Sequence, residues 1–320
     1  MPSILFVKTS SLGDVVHNGP AVSDARRAEP GASIDWVVEE SFADIARLHR
    51  SVRCVIPVAV RRWRTRLYDP RTWRELAAFR RALCAEAYDR VIDTQGLVKS
   101  ALITASARGE KHGFDAGSAR EPLAARFYDV RHAVPTALHA VERNRALACA
   151  SLDAVPAGGA EYGLGVDPSA APSTAFSAAQ PYVVLLTMTS RPDKLWPEER
   201  WRELAAWLGA RGLGCVLPWG SAAERARCAR IAEGHPRAEV PERMSLVRLA
   251  ATLARARAVA GVDTGLTHLA AAVGAPVAGI FCGSDPALTG LYGAARICNL
   301  GAAGKPPLAE GVRAALEVWL

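Results

Sequence analysis

Short apolar runs alternate with longer amphipathic segments from one end of the chain to the other. No other feature restricts the fold as much, because a strand buried on both faces reads as an unbroken apolar run. A helical segment between successive runs makes the connection a parallel crossover. In the first half, strands are expected near residues 4–8, 33–38, 54–57 and 90–93. Residues 72–87 carry Trp73, Leu76, Leu83 and Ala87 at helical spacing, with Arg74 and Arg81 on another face. A second series opens at "YVVLLTMTS" (182–190), which repeats the design of "SILFVKTSS" (3–11): an apolar strand, then a Ser/Thr turn. Pro197 is set to begin a helix, a strand follows at 214–218, and Ser245 is placed to cap a helix reaching Arg257. A strand at 258–262, a helix at 267–273 and a strand at 277–281 then form a βαβ unit, with Gly274 and Pro276 at the helix end.

Between the two series, residues 151–181 are rich in Gly, Pro, Ala and Ser and lack a period, as a linker would. The pattern predicts an α/β protein with two doubly wound, Rossmann-like domains facing across a cleft. Residues 1–165 form the first, 166–181 the linker and 182–320 the second, and the last helix is free to pack back on the first domain. Ligands are expected at the carboxyl ends of the strands.

The chain has 320 residues, 50% of them apolar and 22% charged, which is the make-up of a folded soluble protein. Its first residues read as a strand rather than a leader, and the longest near-apolar stretch, 269–282, is too short for a membrane span. Seven scattered cysteines without a C-x-x-C pair point to reduced thiols in a cytosolic protein, with neither a disulfide nor a zinc framework. Of the net charge of +7, +6 falls in residues 1–150. Eight arginines face two acids within residues 61–81, so an anionic partner is expected for the first half.

Four stretches carry chemistry. In "VDTGLTHLAAAVGAP" (262–276), Asp263 ends a strand and Gly265 turns the chain into a helix whose first amides can bind phosphate. Taken alone, that stretch is explained more simply by Asp263 or Thr264 acting only as a cap. "TMTSRPDKLWPEERW" (187–201) adds the hydroxyls of Thr189 and Ser190 and the cation of Lys194, a set suited to a diphosphate, although a solvated loop is the plainer alternative. Neither G-x-G-x-x-G nor G-x-x-x-x-G-K-[ST] occurs, so dinucleotide and P-loop sites are poor explanations. In "KTSSLGDVVHNGP" (8–20), Asp14 stands near a helix start and is either an inert cap or a general base, with His17 on the same face. "RRWRTR" (61–66) offers arginine forks for carboxylate or phosphate; Gln95 and Lys99 in "DTQGLVKSA" and Arg120 in "REPLAARFYD" are further candidates.

Together, "VKTSSLGDVVH", "DWVVEE", "VIPVAVRRWR", "VIDTQGLVKSA", "AREPLAARFY", "HAVERNR", "DKLWPEERWREL", "LPWG" and "VDTGLTHLAAA" resemble glycosyltransferase family 9, the heptosyltransferases with the GT-B fold. The resemblance spans almost the whole chain. It implies transfer of L-glycero-D-manno-heptose from ADP-heptose to the first Kdo of Kdo2-lipid A, with inversion and without metal or cofactor. It implies Asp14 as base and Thr189, Ser190, Lys194, Thr264 and Gly265 around the diphosphate. Glu224 falls at the ribose, Met244 near the adenine, and Asp263 and His268 near the donor sugar or phosphates. Arg61, Arg62, Arg64, Lys99 and Arg120 fall where acceptor contacts are expected. A cytoplasmic enzyme, peripheral on the anionic inner membrane, agrees with the charge division. A nucleotide-sugar epimerase on the same fold, or another ADP-sugar transferase, is the alternative; nucleic-acid binding ranks last because it leaves Thr189–Lys194 without a role.

Overall fold

The computed structural model describes residues 1–171, 176 and 181–320, so part of the expected linker, 172–175 and 177–180, lies outside the described residues. The chain divides into two compact units, Met1–Leu164 and Gly165–Leu320. Each is built on a six-stranded parallel sheet.

In the first unit the strands are β1 (Ser3–Val7), β2 (Ser33–Glu39), β3 (Val52–Val58), β4 (Ala87–Asp93), β5 (Arg108–Phe114) and β6 (Val130–His132). Their order is β3-β2-β1-β4-β5-β6. In the second, β7 (Tyr182–Leu186), β8 (Gly214–Val216), β9 (Ala238–Glu239), β10 (Ala258–Val262), β11 (Val277–Phe281) and β12 (Ile297–Gly301) run in the order β12-β11-β10-β7-β8-β9. The two orders are the same pattern, and each reverses direction once, between β1 and β4 and between β7 and β10. Chains leaving those paired strands diverge to opposite faces, which opens a crevice at their carboxyl ends.

Strand alternation shows why both faces need helices. Ile4, Phe6, Ile34, Trp36 and Ile92 enter one core of the first unit, while Leu5, Val7, Val37, Ile56 and Val91 enter the other. The second unit buries Val183, Leu185, Ala260, Val262 and Ile280 with Trp196 and Trp201. Ala309, Val312 and Leu316 of the last helix, Ala309–Glu317, belong to this same core. The apolar stripe of that helix is buried against β10, β11 and the helix Glu198–Ala210.

Local signals account for most boundaries. The helix expected at 72–87 is Pro70–Leu83, started by Asp69, whose side chain accepts from the Arg71 amide, with Pro70 in the first turn. Ala87 instead opens β4. Ser245 caps Leu246–Arg255 through the Arg248 amide, as its position predicted. Strands β10 and β11 occupy the expected residues, and the helix between them is Gly265–Ala272.

Gly261 in β10 fixes how closely that helix approaches the sheet. A Cβ there would lie 2.3 Å from Thr267 Oγ1, which donates to the Val262 carbonyl at 2.6 Å and is not free to move aside. Gly261→Ala is expected to destabilise the protein by about 1–3 kcal/mol, read as a lower urea midpoint at unchanged slope.

Candidate active site

The crevice of the first unit is organised by Asp14. It is the third residue of helix Leu12–Ala28, and its Oδ2 accepts from the Ser11 amide at 2.8 Å and from Ser11 Oγ at 3.2 Å. Its Oδ1 accepts from Arg120 Nη2 at 2.7 Å. Cap and reagent are therefore not exclusive: one oxygen closes the helix start, while the other faces a cation. The side chain keeps 18% of its surface exposed, so the carboxylate is not sealed inside the fold. Burial pushes the carboxyl up, but Lys8, Arg120 and the Ser11 amide outweigh it and hold Asp14 below the usual carboxylate range.

Lys8, which follows β1, was not among the expected site residues. Its buried ammonium donates to the Thr94 carbonyl at 2.7 Å and to Asn144 Oδ1 at 3.2 Å. Burial lowers its pKa to about 8, against the pull of Asp14. A lysine closing the otherwise apolar run "SILFVK" was the signal available for it. Gln95, after β4, locks the loop that carries Asp14: its Oε1 accepts from the Thr9 and Ser10 amides at 2.8 and 3.2 Å, and its Nε2 donates to the Ser10 carbonyl. Lys99 Nζ donates to Ser10 Oγ at 2.9 Å. Burial and then Arg61 lower the Lys99 pKa, Glu39 and Asp14 raise it, and Arg64 lowers it further, so the Lys99 ammonium lies in the field of both signs of charge. Arg62 is engaged differently. Its guanidinium bonds Glu40 twice, at 3.0 and 2.9 Å, and Glu75 at 2.7 Å, anchoring the turn Val60–Trp63. His17 is buried and meets the His139 ring edge-on at 5.6 Å, a packing arrangement.

In the second unit, Asp263 after β10 is the hub. Its Oδ2 accepts from Lys194 Nζ at 2.6 Å and Ser284 Oγ at 2.5 Å, and its Oδ1 lies 3.4 Å from His268 Nε2. Thr189 Oγ1, after β7, donates to the Asp263 carbonyl at 3.0 Å, and Ser190 is exposed beside it. Burial raises the Asp263 pKa, but the His268, Lys194 and Ser284 bonds prevail and hold it below the usual range. Lys194 sits on a turn, Pro192–Lys194, pressed against Gly283, where any Cβ would come within 2.7 Å of the Asp193 carbonyl. Thr264 stands at the N-cap of the helix Gly265–Ala272 with no side-chain bond to its first amides. Ser284 also escaped the sequence reading; a serine three residues past the end of β11 was its only trace.

Glu224 and Met244 follow β8, which pairs with β7, and β9, the edge strand beyond β8. Glu224 mirrors Asp14: third in its helix after the Ser221 cap, it accepts from the Gly220 amide at 2.6 Å. Met244 Sδ accepts from Thr252 Oγ1 at 3.6 Å. Trp219 Nε1 donates to the Pro241 carbonyl at 2.7 Å and ties the two loops together. A cavity of about 740 Å³ lies between β3 and helix Pro70–Leu83; the Arg53–Asp35 and Arg62–Glu75 pairs line it, and none of Asp14, Lys99, Arg120, Lys194 and Asp263 does.

The family model "Glycosyltransferase family 9 (heptosyltransferase)" matches residues 76–313. The chain belongs to glycosyltransferase family 9. It is 48% identical to lipopolysaccharide heptosyltransferase 1 of Salmonella typhimurium over 292 residues, 91% of each chain. Its fold matches E. coli heptosyltransferase WaaC with ADP at a TM-score of 0.91 and 43% identity, covering 99% of this chain and all of that one. The same enzyme with ADP-2-deoxy-2-fluoro heptose gives 0.87 at 43% identity, covering 99% of both. The α/β fold is thus that of the GT-B heptosyltransferases, and the family-9 chain is a glycosyltransferase rather than an epimerase. Among the described residues no helix is long and apolar enough to cross a membrane, and no cluster of His, Cys, Asp and Glu could hold a metal ion.

Proposed function

We propose that this glycosyltransferase moves L-glycero-D-manno-heptose from ADP-heptose to the first Kdo of Kdo2-lipid A, inverting the anomeric carbon. The enzyme works in the cytoplasm, peripherally at the inner membrane. The observation that carries the reading is the Asp14 carboxylate paired with Arg120, beside a loop on which Lys99 donates to Ser10 and feels Arg61 and Arg64. A base needs the carboxylate; an acidic sugar acceptor needs the cations.

The acceptor's own carboxylate competes for Arg120. Once Arg120 turns to it, Asp14 Oδ1 is released to accept the proton of the attacking hydroxyl, and its basicity rises as one cation withdraws. On the donor side, Asp263 holds the Lys194 ammonium in place. Lys194, the Thr189 and Ser190 hydroxyls and the amides from Gly265 onward take up the charge of the departing diphosphate. Thr264 shapes that helix start, Glu224 is offered to the ribose and Met244 to the adenine, while His268 keeps Asp263 oriented toward the donor. One hydroxyl attacks one face as ADP leaves the other, so no covalent intermediate forms.

Incubation of ADP-heptose with and without Kdo2-lipid A tests the reading. ADP release should require the acceptor, and the acceptor should gain one heptose; donor consumed equally without acceptor would reject transfer. The pH profile is a second test. Asp14 acts deprotonated, so kcat/KM falls as pH drops through its depressed pKa. Arg120→Gln removes a cation and a hydrogen bond that lower that pKa. Its acid limb should therefore move to higher pH, toward the usual carboxylate range, with a raised KM for the acceptor. An unmoved limb would detach Arg120 from the base.

A further inference from the structure

We infer that residues 64–81 form a surface that docks the enzyme on an anionic phospholipid bilayer, Leu67, Tyr68 and Trp73 entering the headgroup layer and the flanking arginines pairing with lipid phosphates. Tyr68 is fully exposed, Trp73 is 60% exposed and Leu67 51%. Among the described residues, Tyr68 and Trp73 are the exposed aromatics of the whole chain. They are not loose ends. Trp73 Nε1 donates to the Leu67 carbonyl at 3.0 Å, and buried Thr72 donates to the Arg66 carbonyl at 2.8 Å, which fixes the loop on the helix Pro70–Leu83 and sets the apolar side chains side by side.

The charges around them have no internal purpose. Of the two acids in this segment, Glu75 is taken by Arg62 and the Trp63 indole, and Asp69 caps the helix. Arg64, Arg66, Arg71, Arg74, Arg80 and Arg81 are exposed, and none forms an ion pair among the described residues. On the helix, Arg74 and Arg81 continue the stripe that Arg71 begins, while Arg80 lies two turns from Trp73 on the adjoining one. Uncompensated arginines interleaved with exposed aromatics match a bilayer interface, where indole and phenol rings sit at headgroup level. Arg61 and Arg64, where this run of chain starts, act on Lys99, which bonds the loop that carries Asp14, so docking would bring the acceptor site to the lipid surface. Folded proteins seldom leave such a patch uncovered.

The inference rests on the reading that the acceptor is a membrane lipid, and vesicles free of donor and acceptor separate the two. Sedimentation with phosphatidylglycerol-containing vesicles should retain the full-length enzyme, weakening as salt is raised, and pure phosphatidylcholine should not. Arg71→Gln with Arg74→Gln should lower the partition about thirtyfold, at roughly 1 kcal/mol per arginine. Tyr68→Ala with Trp73→Ala should lower it about tenfold or more. Both variants should turn over a soluble, acyl-free acceptor as the parent does, which shows that they fold and that the chemistry stands apart from docking. Equal binding to both lipids, variants that sediment like the parent, or retention by oligonucleotides but not by vesicles would each overturn the surface.

Discussion

With Asn in place of Asp14, heptose transfer falls about 10²–10⁴-fold while ADP binding is essentially unchanged, the loss ordinary for a missing general base. The substitution isolates chemistry from structure because the two carboxylate oxygens have separate duties. The Asn carbonyl oxygen can still accept from the Ser11 amide, so the start of helix Leu12–Ala28 stays closed. What disappears is the anionic oxygen that faces Arg120. Single-turnover transfer with saturating donor, beside calorimetric titration of ADP, reads both quantities. Near-normal transfer would reduce Asp14 to its capping role.

Lys194→Ala should lower kcat about 10²–10³-fold, the loss typical of removing one preorganised charge from a leaving group. A stability effect accompanies it. Asp263 keeps Ser284 and His268 but loses its ammonium partner at 2.6 Å, at a cost of about 1–3 kcal/mol near neutral pH. The sign of the pH dependence follows from the depressed Asp263 pKa. A carboxyl lowered in the folded state contributes stability above its unfolded pKa, and that contribution is lost as pH falls through the folded value. Lys194→Ala raises the folded value, so parent and variant should differ most near neutrality and converge as Asp263 protonates. Urea unfolding at several pH values measures this, and a gap that widens in acid would contradict the assignment.

Much of the framework was legible because it rests on apolar runs. β1, β10 and β11 are wholly or almost wholly buried and read directly as strands. β5, "RGEKHGF", escaped because its first half is a polar stretch with exposed positions, and β6 and β9 are too short to show a period. Motif positions predicted the strand-end residues Asp14, Thr189 and Asp263, since a crevice at the sheet reversal collects whatever follows β1, β7 and β10. Partnerships were less visible. Arg120 lies 106 residues from Asp14, and Lys194 lies 69 from Asp263, so no local spacing announces either pair. Sequence also could not separate Arg61 and Arg64 from Arg62, because only the fold shows that Glu40 and Glu75 already hold Arg62. Ser284 shows its role only when the strands place its hydroxyl on the Asp263 carboxylate.

The central claim is one displacement at one carbon, with Asp14 taking the acceptor's proton and no protein nucleophile. The configuration of the transferred heptose reports on it without reference to any variant. NMR of the product, read from the one-bond carbon–proton coupling at C1, should show the anomeric configuration opposite to that of the ADP-heptose supplied. Retention would require a second displacement on a covalent intermediate, and the assignment of Asp14 as a base acting alone would then be wrong.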